Sequence, residues 1–152
     1  MTDRQRIREI VESCQCCRLG FCDEGKPYIV PMNFGYEEKE GRYVFYFHSA
    51  GEGRKIELIE KTGYAGFEMD TNPKIYANGT GENACSYTAR FQSVIGGGRI
   101  SFVKDRAEKI SALRAIMRHN TGREDWEFEE KMLEAVCVFR LEAEELSCKE
   151  HL

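Results

Sequence analysis

The segment that most constrains the fold is residues 42–48, because five apolar or aromatic residues follow one another there: Tyr43-Val44-Phe45-Tyr46-Phe47. Successive side chains of an extended strand point to opposite faces, so both faces of this segment are apolar. Such a strand needs cover on both sides, which favours a place inside a sheet over a wet edge. The chain is therefore expected to build a β-sheet around this strand.

Other β-prone segments supply the neighbours of this strand. They are predicted at residues 18–22, 27–36, 63–70, 85–103 and 135–146. The pair Glu24-Gly25 suits a hairpin turn between the first two. The three glycines 96–98 suggest a bulge or a close backbone approach. Residues 71–84, rich in Asn, Gly, Pro and Thr, are predicted to form a long surface loop.

Helices are predicted where apolar residues recur at helical spacing behind a capping residue. A first helix follows Thr2-Asp3, and a second starts from a capping box formed by Ser49 and Glu52. A third starts at Asp105 and stops at Gly122, and a brief helix is expected at 126–133. Strands with a few peripheral helices favour a single domain over residues 1–152. Its predicted class is α+β, mainly β, an antiparallel barrel.

Charge and composition limit the partners and the location. The 22 Lys+Arg and 26 Asp+Glu residues give a net charge of −4, which argues against nucleic acid as a partner. No apolar stretch is long enough for a signal peptide or a membrane span. With no export signal and an odd number of cysteines, 7, a cytoplasmic location with reduced thiols is expected.

The stretch 47–55 has the best pattern for a ligand site. A strand carrying Phe47, His48 and Ser49 leads into a helix start, where free N–H groups and the helix dipole attract anions. Arg54 and Lys55 add positive charge, so this is a candidate phosphate cradle. The alternative is that Ser49 only caps the helix while the two cations are solvated, and the residues alone favour neither.

Cysteine and histidine patterns give weaker hypotheses. Cys14, Cys16 and Cys17 include a Cys-x-x-Cys spacing, but no second ligand pair follows, so no metal site is expected. A thiol or zinc regulator built on these cysteines ranks last among the functional hypotheses. The three histidines are scattered, and the sequence identifies no catalytic residue.

Five motifs in order carry a family resemblance. They are Cys-Arg-Leu-Gly-Phe at 17–21, Pro-Tyr-Ile-Val-Pro-Met-Asn-Phe-Gly-Tyr at 27–36, Tyr-Phe-His-Ser-Ala with Glu-Gly-Arg-Lys at 46–55, Tyr-Thr-Ala-Arg-Phe-Gln-Ser-Val-Ile-Gly at 87–96, and Met-Arg-His at 117–119. With them the chain resembles flavin-binding split-barrel proteins related to pyridoxamine 5′-phosphate oxidase, in the branch of the nitroimidazole-resistance proteins. The resemblance implies a six-stranded split β-barrel and a homodimer with FMN between the subunits.

The resemblance also assigns residues to the cofactor. Pro31, Met32, Asn33 and Phe34 would follow the edge of the isoalloxazine ring, largely through their backbone groups. Phe47, His48 and Ser49 would flank the ring and the ribityl chain, and Arg54 and Lys55 would hold the phosphate. Phe91, Gln92 and Ser93 would reach the cofactor from the partner subunit.

The implied activity is that of an FMN-dependent oxidoreductase acting on a small electrophile such as a nitroimidazole, with a reduced nicotinamide or flavin as donor. The chain lacks the C-terminal Trp- and Arg-containing segment of the vitamin-processing oxidases, so oxidation of vitamin B6 is not expected. The alternative is a non-catalytic haem- or flavin-binding protein of the same fold. In the haem case His48 would be the axial ligand.

Overall fold

A computed structural model describes all 152 residues as four helices and seven strands. The helices are α1 (Arg4–Ser13), α2 (Arg54–Thr62), α3 (Arg106–Thr121) and α4 (Glu130–Ala135). The strands are β1 (Cys17–Asp23), β2 (Lys26–Met32), β3 (Gly35–Lys39), β4 (Arg42–Ser49), β5 (Tyr64–Ala77), β6 (Tyr87–Phe102) and β7 (Cys137–His151). None of the helices is both long and apolar enough to cross a membrane.

All strands join one antiparallel sheet in the order β2-β1-β5-β6-β7-β4-β3. The predicted mainly β, split-barrel class is confirmed, but the sheet has seven strands and not six. The extra strand arises because the segment predicted at 27–36 divides at Asn33-Phe34. The side chain of Phe34 is fully buried at this break, and β2 and β3 become the two edges of the sheet.

The prediction for β4 is confirmed. It pairs with β7 on one side and β3 on the other, and all five residues from Tyr43 to Phe47 are buried. Phe45 and Phe47 face the main core, whereas Val44 and Tyr46 pack in a second cluster with residues of α3. Each face of the strand is therefore covered by a different layer.

The loop predicted at 71–84 is wrong in its first half. β5 continues to Ala77 and pairs with the first residues of β6, with the register shifting between Thr71 and Lys74. Asn72 in this irregularity has a positive φ of 53°. Thr, Ile and Tyr side chains keep the strand extended on both sides of this bulge.

Capping signals gave two correct helix starts and one wrong one, and Asp3 caps α1 by accepting hydrogen bonds from the Gln5 N–H at 3.0 Å and the Arg6 N–H at 3.3 Å. Asp105 caps α3 by accepting a hydrogen bond from the Glu108 N–H at 3.0 Å. The predicted capping box of Ser49 and Glu52 does not form, because α2 begins only after Gly53 and the Ser49 hydroxyl donates to the Ala50 carbonyl. The brief helix predicted at 126–133 begins later, as α4.

The glycine bulge is confirmed at β6. The register between β6 and β7 shifts between Gly97 and Gly98, where two strands come unusually close. A Cβ atom on Gly98 would lie 1.9 Å from the Glu142 carbonyl oxygen, a distance that no real side chain tolerates. Glycine at this position thus lets the backbone of β7 come close to β6 at the bulge.

Candidate functional site

A cleft of about 420 Å³ lies where the ends of β2 and β4 meet α3, and we call it the β2–α3 cleft. It is lined by Pro31, Met32, Asn33, His48, Ile116, Met117 and Asn120. Four of these lining residues are apolar, and three carry polar amide or imidazole groups. The structure thus brings together His48 and three of the four residues that were assigned to the ring edge.

Asn120, near the end of α3, holds the break between β2 and β3 in place. Its Nδ2 donates to the carbonyls of Phe34 (3.1 Å) and Ile116 (2.7 Å), and its Oδ1 accepts from Asn33 Nδ2 at 3.3 Å. This residue was not among those predicted from the sequence. Its only signal was its position directly after the Met-Arg-His motif.

Gly35 brings α3 against β3. A Cβ atom here would lie 2.3 Å from the backbone nitrogen of Ile116, so only glycine permits the contact. This role was not predicted from the sequence either, since its partner, Ile116, lies 81 positions away along the chain.

Two residues assigned to the cofactor have fully buried side chains. Phe34 packs against Phe45 and the His119 ring, with centroids 4.3 Å apart for the latter pair. Phe47 stacks on Phe139 at 5.4 Å. A ligand in the cleft can therefore meet only the backbone of Phe34 and Phe47. His48, in contrast, is exposed, and its side chain makes no hydrogen bond within the chain.

The N-terminus of α2 is open. Gly53 occupies the capping position with a φ of 127°, no side chain caps the helix, and nothing lies within 4 Å of its Cβ position. Lys55 forms no salt bridge. Arg54 pairs with Asp23 at 3.0 Å and lies 4.2 Å above the ring of Tyr28, so its charge is partly neutralised.

The three residues assigned to the partner subunit's cofactor lie on β6. Phe91 and Ser93 are half-buried, but the side chain of Gln92 points to the opposite face and is buried. Its amide bonds to Asn72 at 2.8 Å and Glu150 at 2.9 Å. The hydrogen-bonding groups of this side chain are already used within the chain.

The sequence profile of the pyridoxamine 5′-phosphate oxidase family matches residues 3–150. The chain belongs to this family. No curated protein matches it.

Solved structures agree with the family assignment. A Bacteroides thetaiotaomicron protein named for 5-nitroimidazole antibiotic resistance is 32% identical, with a TM-score of 0.82 over 97% of this chain and 84% of that one. An Azotobacter vinelandii flavocytochrome is 22% identical (TM-score 0.77, over 100% and 69% of the two chains). A Mycobacterium smegmatis FAD and heme binding protein is 17% identical, with a TM-score of 0.80 over 99% of this chain and 72% of that one. The latter two are similar in fold alone.

The β2–α3 cleft of this pyridoxamine 5′-phosphate oxidase family member fits a flavin ring. Its volume lies within the range of small-molecule pockets, and apolar walls with a few polar groups suit a flat aromatic ring with a polar edge. β2 is an edge strand, so one row of its backbone N–H and C=O groups has no strand partner and can bond ring heteroatoms. The open N-terminus of α2 and Lys55 suit a phosphate.

Two of the three clustered cysteines lie in an environment that disfavours the thiol or zinc hypothesis. Cys14 and Cys17 are buried, and this burial raises the pKa of Cys14 to about 12 and that of Cys17 further still. Thiolates, the form that binds metals and reacts, are disfavoured there. No three His, Cys, Asp or Glu side chains are arranged to hold a metal ion.

Proposed function

We propose that the protein is an FMN-binding oxidoreductase with the isoalloxazine ring in the β2–α3 cleft. The observation that carries this proposal is the convergence of Pro31, Met32, Asn33 and His48 with α3 around one cleft of suitable size. Bound FMN supplies hydride and electron transfer, and the protein orients the ring and controls the access of water.

The phosphate end is proposed at the start of α2. Arg54 lies over Tyr28 of β2, and the last residues of the same strand, Pro31 and Met32, line the cleft. An extended cofactor can follow the strand between these points. Lys55 and the free N–H groups of α2 would bind the phosphate directly, and Arg54 would share its charge between Asp23 and the ligand.

Within the cleft, each lining residue has a separate task. The amide of Asn33, held by Asn120, is available to the ring edge, while Ile116 and Met117 exclude water from the ring face. His48 is placed to exchange a proton with a bound molecule, but no residue is assigned as catalytic. For the electron acceptor we propose a small electrophile such as a nitro compound, and for the donor a reduced nicotinamide or flavin. The 32% identical relative named for nitroimidazole resistance supports the acceptor class.

A homodimer is part of the proposal. The face of the sheet formed by β2, β1, β5 and β6 has in-register glycines, Gly20, Gly66 and Gly97, beside the exposed side chains of Ile29 (65%) and Ile95 (55%). A sheet face with exposed apolar groups suits a second copy. Ser93 lies on the same face as Ile95, two positions along β6.

A cytoplasmic location is proposed because all seven cysteines are free.

The test is the visible absorption spectrum of purified protein after FMN addition and gel filtration. A retained two-banded flavin spectrum is expected. Lys55→Ala should then weaken FMN binding about 10-fold or more, as for loss of a charge-assisted hydrogen bond, while riboflavin, which lacks the phosphate, binds unchanged. Lys61→Ala, at the other end of α2, is the control. Equal loss of riboflavin and FMN, or a protein that retains no flavin, would contradict the proposal.

The second candidate is a non-catalytic haem-binding protein of the same fold, because His48 is exposed at the cleft with no partner within the chain. The Mycobacterium smegmatis protein, which has a similar fold, is named as an FAD and heme binding protein. A Soret band that disappears in His48→Ala would favour haem over FMN.

A further inference from the structure

The Met-Arg-His motif, residues 117–119, lies near the end of α3. Its arginine, and Asn120 directly after the motif, hold the chain on the β3 side of the break between β2 and β3. Arg118 Nη2 donates to the Tyr36 carbonyl at 2.8 Å, and Asn120 Nδ2 donates to the Phe34 carbonyl at 3.1 Å. Two carbonyls at and just after the break are therefore fixed by side chains of one helix.

His119, between these two residues, bonds to a different segment. Its side chain is only 1% exposed, and its Nε2 lies 2.6 Å from the Cys14 carbonyl oxygen. Because a carbonyl only accepts, Nε2 carries a hydrogen whichever charge the ring has. Cys14 is the buried residue at the end of α1, so its carbonyl needs such a donor. This hydrogen bond ties the end of α1 to the end of α3.

The end of α1 is linked to the β2 side of the break. β1 begins three residues after Cys14, and its first residue, Cys17, pairs with Met32, the last residue of β2. Asn33 follows Met32 directly and lines one cavity together with Cys14 and His119. A shift of Cys14 is therefore passed through the start of β1 to the residue at which β2 ends.

The ring of His119 also packs beneath the break. Its centroid lies 4.3 Å from that of the Phe34 ring and 5.7 Å from that of Tyr36, the residues on either side of Gly35. Such aromatic contacts favour a defined geometry. The depth at which Phe34 is buried, and with it the direction of the neighbouring Asn33, depends on this ring.

We propose that His119 is a positioning residue that fixes the β2–β3 break, so that Asn33 and the free edge of β2 face the β2–α3 cleft. It acts through the Cys14 carbonyl and the Phe34 ring. The hydrogen bond carries this role, and the ring contact aligns Phe34. That the positioned ligand is the flavin ring rests on the proposed function, whereas the effect on the break does not.

Flavin titration of two His119 variants tests the positioning role. His119→Leu removes the donor and should weaken FMN and riboflavin equally, about 10-fold, because the ring end of the cofactor is affected. Lys55→Ala, in contrast, should affect FMN alone. His119→Gln keeps an amide donor and should bind both flavins within about 3-fold of wild type. Arg114→Leu is the matched control, because Arg114 on the same helix donates to the carbonyl of Trp126 (3.3 Å), after α3.

Hydrogen–deuterium exchange of the full chain without added flavin is a second readout. In His119→Leu, exchange should accelerate at least 10-fold in peptides that contain residues 14–17 and 33–36, and stay unchanged in β6 and β7. His119→Gln should restore the slow exchange.

Uniform acceleration along the chain, slow exchange kept at residues 33–36, or a Gln variant as impaired as the Leu variant would overturn the proposal. The two proposals can fail separately. If the wild type retains no flavin but exchange responds as expected, only the oxidoreductase is removed. If FMN binds equally to wild type and His119→Leu, only the positioning role is removed.

Discussion

Replacing Gly35 by alanine should break the contact that positions α3 over the sheet. The new Cβ would lie 2.3 Å from the nitrogen and 2.5 Å from the Cα of Ile116, and 2.4 Å from the Ala115 carbonyl carbon. All three are helix backbone atoms, so no rotamer change can relieve the overlap. An ordinary contact needs at least 3.4 Å, and α3 must therefore move by at least 1.1 Å.

The cost of this shift is expected at the upper end of overpacking effects, about 3 kcal/mol. The helix also covers Val44 and Tyr46, and their burial would be weakened by the same movement. Ile116, Met117 and Asn120 line the β2–α3 cleft from this helix, so FMN affinity should fall together with stability.

Urea denaturation followed by circular dichroism measures the free energy of unfolding of Gly35→Ala. Gly51→Ala is the matched control, because nothing lies within 4 Å of its Cβ position, and a change within about 0.5 kcal/mol is expected. A loss below about 1 kcal/mol in Gly35→Ala, with FMN affinity unchanged, would refute the reasoning.

Three further predictions concern single side chains. Asn120→Ala should weaken FMN binding about 10-fold in a fluorescence titration by freeing the break between β2 and β3, while Ser111→Ala on the exposed side of α3 should not. Hydrogen bonds from Arg6, and secondly from Gln92, lower the pKa of Glu150. The stability from this group is therefore complete above its unfolded pKa of about 4.3 and is lost as the pH falls through its lower folded pKa. In acid denaturation series, the difference in unfolding free energy between wild type and Glu150→Gln should shrink below that pH, and a constant difference would contradict the assignment. Ile95→Glu should give a monomer in light scattering, whereas Ile75→Glu, at a more exposed isoleucine near the end of β5, should leave the dimer intact.

Local patterns predicted the elements whose signals lie within a few residues. The run of residues that is apolar on both strand faces predicted β4. Asp105 predicted the start of α3, and the three glycines predicted the bulge in β6. Ser49 and Glu52 have the correct spacing for a cap, but the glycines between and after them let the chain extend further before α2 begins. The spacing of a capping pair alone does not determine the residue at which a helix begins.

Contacts between distant segments could not be predicted from single residues. Residues 71–77 look polar and turn-prone, yet pairing with β6 extends them as a strand. The cleft needs α3 against the end of β2, a contact set by Gly35 and Asn120 across more than 80 residues. Pro31, Asn33 and His48 were assigned to one site by family resemblance, since nothing in their local sequence relates the end of β2 to the end of β4.

The position of β7 in the sheet has a consequence for how the protein is made. β7 pairs with β6 on one side and with β4 on the other, so it joins the β3–β4 hairpin to the remaining strands. During synthesis β4 lacks its neighbouring strand β7, and its apolar faces stay partly uncovered, until residues 137–151 have left the ribosome. Folding must then bring together strands about 90 residues apart, which makes completion slow and leaves the nascent chain prone to aggregation. We therefore expect the yield of native protein to depend strongly on chaperone supply and growth temperature, even if the folded protein itself is stable.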